Sequence, residues 1–202
     1  MTVYNVTSTA ESFTCNAYLS AKGRVTLVDV GSMSGVTEVI TDITETVEAV
    51  MITHQHRDHV AELAAVVDVF DPAVYAFDDH PLRTHPLEDG DSVAIGAESF
   101  DVIHTPGHAT DHVAFVSEST IYSGDVVVAN DGAFDYGSFG RTDRSGQSRE
   151  DLIESIQRIL ERLPATVEHM YAGHGDEFHG DVRDVIETAL SRAERREPKY
   201  PN

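Results

Sequence analysis

The chain has 202 residues, enough for one domain with a sizeable buried core. Its 35 acidic against 14 basic residues give a net charge of −21, which argues against a nucleic-acid partner, since that needs a cationic footprint. No apolar run approaches the ~20 residues of a membrane span, the N-terminus lacks the pattern of a signal peptide, and a single cysteine excludes an internal disulfide.

The acids are spread along the chain, and apolar periodic segments recur between them, so the composition predicts a folded protein. Lysine occurs only at Lys22 and Lys199. A surface of hydrated carboxylates with so little lysine fits a protein adapted to high salt, where ions screen the self-repulsion. Cys15 lies in a strand-like run and reads as a buried core thiol. Together these features fit a reducing cytoplasm.

In chain order, strands are expected at 3–6, 14–20 and 24–30, with Lys22-Gly23 turning the second into the third. A helix follows at 36–46, with Val36, Val39, Ile40 and Ile43 on one side. Val50-Met51-Ile52 reads as a buried strand, and a helix is expected from Val60 to about Phe70, where Asp71-Pro72 stops it. A strand at 73–77 leads to a polar loop at 78–86, whose His80 and His85 are expected in solvent. Further strands are expected at 92–95, 98–105, 112–118, 120–122 and 168–172. Ser148-Arg149-Glu150-Asp151 approximates a capping box for a helix that runs to Leu163 with Ile153, Ile156, Ile159, Leu160 and Leu163 as its apolar stripe. A terminal helix is expected at 181–196, with a loosely held tail at 197–202. Strand-rich blocks alternate with helices twice, an order that suits two sheets with helices outside them.

The chemistry concentrates in Thr53-His54-Gln55-His56-Arg57-Asp58-His59, between the strand at 50–52 and the next helix. Alternate side chains of an extended segment point the same way, so His54 and His56 can grip one ion. Asp58 and His59 face differently at this strand-to-helix corner and can serve a second. Downstream, Thr105-Pro106-Gly107-His108, Ser123-Gly124-Asp125 and Gly173-His174-Gly175 each set one donor beside glycine at a strand end.

This motif order resembles the metallo-β-lactamase superfamily, and the resemblance covers nearly the whole chain. It implies an α/β fold, a four-layer αββα sandwich of two mixed β-sheets flanked by helices, taken here as one domain over 1–202 without a separate C-terminal substrate domain. It implies that His54, His56 and His108 hold a first metal, that Asp58, His59 and His174 hold a second, and that Asp125 bridges the two. Imidazole and carboxylate suit two divalent ions, zinc first, with iron or manganese as alternatives. A bridged pair of cations lowers the pKa of water to around 7, so hydroxide is the expected nucleophile, oriented by Asp58. Asp29 ends a strand as the Asp-x-Gly of the family does and is read as support for the metal loop. His112 is read either as a further support or as simple packing.

Gly137-Ser138-Phe139-Gly140-Arg141-Thr142-Asp143 resembles a segment of type II glyoxalase-like hydrolases and of persulfide dioxygenases. The resemblance therefore implies a thioester hydrolase acting on a small-molecule hydroxyacyl thiol. A glutathione carrier is not expected, because no helical domain follows the last ligand. One alternative is a mononuclear iron persulfide dioxygenase using His54, His108 and Asp125; another is a ribonuclease of the same superfamily. Arg141 either touches substrate or pairs with Asp143. Substrate choice is placed in the loop at 130–147, and no membrane partner or oligomeric state is implied.

Overall fold

The computed structural model describes residues 2–199. The chain divides into two compact units, residues 1–100 and 101–202.

The first unit contains β1 (Val3–Asn5), β2 (Tyr18–Ser20), β3 (Thr26–Val28), α1 (Val36–Ile43), β4 (Ala49–Met51), α2 (Arg57–Val60), α3 (Leu63–Phe70), β5 (Ala73–Ala76), β6 (His85–Pro86) and β7 (Ser92–Ile95). Its sheet has the order β1-β2-β3-β4-β5-β6, antiparallel up to β3 and parallel from β3 onward. The Lys22-Gly23 turn forms as expected, with Gly23 at φ 87° and Arg24 bridged to Gly96. Val36 and Ile40 of α1 and Leu63 and Val66 of α3 bury against Leu27, Val50 and Val74 of the sheet. The central parallel strands β3 and β4 are short and buried along their whole length, whereas β5 alternates and β6 is exposed.

The helix expected from Val60 to Phe70 is interrupted, and its beginning moves back to Arg57. The cause is tertiary. The His59 carbonyl, which would accept a hydrogen bond within a continuous helix, instead accepts Val30 N–H at 3.0 Å and Gly31 N–H at 3.3 Å. Asp58 and His59 consequently stand on a one-turn helix rather than in a loop.

β8 (Glu98–His104) crosses the division, and the second unit continues with β9 (Val113–Val116), β10 (Thr120–Gly124), β11 (Val127–Val128), β12 (Ser138–Phe139), α4 (Arg149–Arg162), β13 (His169–Ala172), β14 (Phe178–His179) and α5 (Val182–Glu194). The sheet order is β14-β13-β10-β9-β8-β7; β10 pairs with β13 in parallel, and β13 with β14, β10 with β9 and β9 with β8 pair antiparallel. The Ser148 cap forms, its hydroxyl accepting Asp151 N–H at 3.1 Å. Asp181 caps α5 in the same way through Asp184 N–H at 3.0 Å. The buried face of α4 is Leu152, Ile156 and Ile159, with Ile153 and Leu160 only flanking it, so the stripe is rotated from the one expected.

Four short strands were not expected: β6, β14, and β11 paired with β12, of which β12 lies inside the stretch read as a substrate loop. The tail also differs from expectation. Glu197 pairs with Arg192 at 3.0 Å, and Lys199 Nζ reaches Asp131 Oδ2 at 2.5 Å with both side chains buried, so residues 197–199 are fixed. Tyr200, Pro201 and Asn202 lie outside the described residues. His80 and His85 both have protein partners: His80 Nδ1 accepts Leu82 N–H at 3.1 Å, and His85 stacks on Tyr75 at 4.6 Å. Among the described residues, no helix is long and apolar enough to cross a membrane.

Candidate metal centre

In the first unit the donors sit where β4 feeds α2. Thr53 and His54 are buried, and His54 Nε2 lies 3.0 Å from His56 Nδ1. Two nitrogens bound to one cation at about 2.0–2.1 Å stand roughly 2.8–3.4 Å apart, so this spacing suits a shared ion. His54 and His59 rings lie 4.0 Å apart, and His59 Nε2 is 3.9 Å from Asp58 Oδ2.

Asp29 organises this cluster. Its φ of 56° is left-handed, a conformation that acidic and amide residues tolerate better than most. It turns the carboxylate under the 53–59 segment. There Oδ1 accepts Thr53 N–H at 2.8 Å, and Oδ2 accepts the Thr53 hydroxyl at 2.7 Å and His59 Nδ1–H at 2.8 Å. With its proton committed to Asp29, the Thr53 hydroxyl oxygen accepts from His54 Nδ1–H at 3.2 Å. Both histidines are thereby held in the tautomer that leaves Nε2 with its lone pair. Cys15 is buried as expected, and its sulfur lies within 4.8 Å of ligand atoms of Asp29 and His59.

In the second unit, Asp125 is the centre. Its Oδ2 lies 3.3 Å from His108 Nε2 and 3.4 Å from His174 Nε2. Both spacings match about the edge of a tetrahedron around a zinc-like ion. His108 donates from Nδ1 to the Arg141 carbonyl at 3.0 Å, which again keeps Nε2 as the ligating nitrogen. His112 Nε2 accepts Asp125 N–H at 2.9 Å, while its Nδ1 faces Thr105 Oγ1 at 2.7 Å. The imidazole is neutral, and it fixes the backbone from which the Asp125 carboxylate extends. His112 thus touches the Asp125 backbone directly.

Several contributors were missed in the sequence. Thr53 and Thr105 each orient a histidine by a hydroxyl. Gln147 holds the His108 carbonyl through its amide at 2.9 Å. Gly140 lies so close that a Cβ there would stand 2.2 Å from the Asp125 carbonyl and 3.0 Å from His108 side-chain atoms. The signal for Gly140 was its place in the Gly-Arg-Thr-Asp segment, but only the close approach of two backbones explains it. The Arg141 side chain forms a two-point pair with Asp143, at 2.8 and 2.7 Å. That guanidinium holds the Asp143 carboxyl down to about 2, against slight desolvation. Arg141 therefore contributes its carbonyl to His108 while its side chain is committed to a neighbour.

The donor set is imidazole and carboxylate, with histidine lone pairs fixed by hydrogen bonds from behind. This is the chemistry of a borderline divalent cation, which the residues present fit.

Comparison with known proteins agrees with this chemistry. Residues 11–82 match the metallo-beta-lactamase superfamily. The hydroxyacylglutathione hydrolase of Vibrio cholerae is 35% identical over 152 residues, which are 73% of this chain and 56% of that protein. The chain thus spans little more than half the length of the curated relatives it matches. Among solved structures, ETHE1 from Myxococcus xanthus superposes with a TM-score of 0.71 at 22% identity, covering 94% of this chain and 88% of that one, a likeness of fold alone. TTHA1623 in a di-iron-bound form gives a TM-score of 0.68 at 28% identity, covering 92% and 95%.

Proposed function

Because the chain belongs to the metallo-beta-lactamase superfamily, with curated relatives named as hydroxyacylglutathione hydrolases, we propose that it is a metal-dependent hydrolase of thioesters. The observation that carries this reading is the Asp125 carboxylate, whose single oxygen faces His108 and His174 at 3.3 and 3.4 Å as a bridging ligand would. In this reading the two units act as one catalytic domain. His54, His56 and His108 would hold one cation, Asp58, His59 and His174 the other, and Asp125 would serve both. The di-iron form of a relative with 28% identity supports two ions, and the nitrogen-rich donor set suits zinc, with iron or manganese as alternatives.

When bound, the cations supply a lowered water pKa and polarise the thioester carbonyl. The protein's own part is positioning. Asp29 and Thr53 hold His54 and His59 with Nε2 exposed to the ions. His112 fixes the Asp125 backbone, and the Arg141 carbonyl keeps the proton of His108 on Nδ1. Asp58 accepts a hydrogen bond from the attacking water at a carboxylate oxygen and so orients it. Water adds to the acyl carbon, the carbon–sulfur bond breaks, and the products are a carboxylic acid and a thiol. The net charge of −21 and the buried lone cysteine support work in a salty, reducing cytoplasm on a small molecule, not on nucleic acid.

The test is a substrate panel on protein purified at high salt with its metals quantified. The expected result is two metals per chain and turnover of hydroxyacyl thioesters, lost in His54→Ala and Asp125→Ala. Oxygen consumption with a persulfide at one iron per chain, or cleavage of RNA without thioester turnover, overturns it.

A further inference from the structure

Away from the donors described above, a pair of histidines faces across the β13–β14 hairpin of the second unit. His169 and His179 are direct partners in the antiparallel register. Such partners project from the same face with Cβ atoms about 4.5–5.5 Å apart. Their Nδ1 atoms lie 2.8 Å from each other, with the rings edge-on at 77° and centroids 4.9 Å apart. His179 is open to solvent, with 52% of its side chain exposed, and His169 is half-buried.

The second observation is what stands behind His179. Glu177 Oε2 lies 3.9 Å from its Nε2, and Tyr171 meets the ring edge-on at 6.0 Å. At 3.9 Å this carboxylate is beyond hydrogen-bond length, and it places a negative charge beside the pair that favours a bound cation. Two nitrogens bound at about 2.0 Å and at right angles around one ion sit about 2.8 Å apart. The observed spacing is therefore that of adjacent ligands in a square-planar or tetragonal complex.

We propose that His169 and His179 form a two-histidine chelate for a late divalent transition metal, Cu2+ ahead of Ni2+ and Zn2+, with water completing the coordination. The order follows the general affinity series for nitrogen sites. This site is separate from the seven donors of the candidate centre and does not depend on the hydrolase reading. It also has a structural consequence. β13 ends at Ala172 and β14 begins at Phe178, and the connection between them carries His174. An ion bridging His169 and His179 staples the base of that hairpin.

The experiment starts from full-length protein carrying two equivalents of Zn2+, titrated with Cu2+ by calorimetry and visible absorption. Ni2+ is run in parallel as a redox-inert probe. One further equivalent with a nitrogen-ligated d–d band is expected, and at 100-fold excess over Kd the unfolding temperature should rise by roughly 5 °C. Both effects should vanish in His169→Ala and in His179→Ala, while Glu177→Gln, which removes a nearby screened charge, should weaken binding by about 2- to 3-fold. Circular dichroism confirms that these surface variants fold, and their two-zinc stoichiometry should match wild type. The proposal is overturned if no further equivalent binds, or if that equivalent survives in the His169→Ala/His179→Ala double variant and so belongs to another histidine. The hydrolase reading is judged separately, by thioester turnover before any Cu2+ is added.

Discussion

Asp29→Asn tests the support beneath the metal loop with little other disturbance. Asparagine matches aspartate in size and also tolerates the left-handed backbone at this position, φ 56°, so neither packing nor backbone strain is added. What changes is donor and acceptor matching. The carboxylate accepts three hydrogen bonds: from Thr53 N–H, the Thr53 hydroxyl and His59 Nδ1–H, at 2.8, 2.7 and 2.8 Å. The amide keeps one acceptor for Thr53 N–H and turns its NH2 toward the other two. The Thr53 hydroxyl can rotate to accept. His59 can accept only by moving its proton from Nδ1 to Nε2, the nitrogen meant for the metal. Hydrogen bonds to a charged group are worth about 1.5–3 kcal/mol each, so with one bond partly recovered the apo protein should lose about 2–4 kcal/mol. For a chain of this size that corresponds to a fall of about 5–15 °C in unfolding temperature. Metal affinity, read by competition with a chromogenic chelator, should fall about 10–100-fold. A folded Asp29→Asn protein that binds metal as tightly as wild type would refute the tautomer argument. An unchanged apo unfolding temperature would refute the hydrogen-bond accounting.

Lys199→Ala removes one partner of a half-buried carboxylate that keeps its Ser138 and Ala133 hydrogen bonds, and should cost about 1–2 kcal/mol, seen as lost thermal stability at neutral pH. Burial pushes the Asp131 carboxyl up, but the Lys199 ammonium, the Ser138 hydroxyl and the Ala133 N–H outweigh it and hold it below its ordinary value of 3.8. The stabilisation is therefore present above the ordinary carboxylate range and is lost as pH falls through the depressed value; Lys199→Ala should flatten this acid limb in melts recorded down its length. Gly175→Ala should destabilise strongly, by at least about 2–3 kcal/mol, because φ is +74° and the new Cβ would stand 1.7 Å from the Asn130 carbonyl. Gly146→Ala, at φ +85° with open space around it, should cost only the backbone term of about 1 kcal/mol. Raising salt from about 0.1 M, where the Debye length is about 10 Å, to molar concentration should raise the unfolding temperature of this −21 chain, and a flat salt profile would count against the high-salt reading.

The elements legible in the sequence were those whose signal is local. β4 and the Ser148-capped α4 declare themselves by apolar runs and a cap, and each lies where expected within a residue or two. The interruption between α2 and α3 was not legible, because one helix was read from Val60 to Phe70 and the break comes from backbone donors of Val30 and Gly31 nearly thirty positions away. The β11–β12 hairpin was missed because strands of two residues carry no period. The tail misled for an electrostatic reason. A charged C-terminus is ordinarily solvated, but here one of only two lysines meets an aspartate that is itself buried.

The same division between local and distant signals governs the candidate centre. The donors announced themselves through glycine-flanked histidines and aspartates, whereas their supports act through atoms that every residue has. His108 is oriented by a carbonyl at position 141, so the identity of the side chain there is indifferent to it. The Gly-Arg-Thr-Asp segment, which resembled a substrate marker, therefore has a second role that separates by residue. Arg141→Ala keeps the carbonyl, loses an exposed pair with Asp143, and should leave metal stoichiometry unchanged and stability within about 1 kcal/mol. Gly140→Ala needs no unusual φ, yet its Cβ would stand 2.2 Å from the Asp125 carbonyl and 3.0 Å from His108. It must push the segment off both residues, and metal bound through His108 and Asp125 should be lost with most of the fold intact by circular dichroism. If Gly140→Ala retains its metals while Arg141→Ala loses them, the segment acts through its guanidinium, and the backbone account of His108 fails.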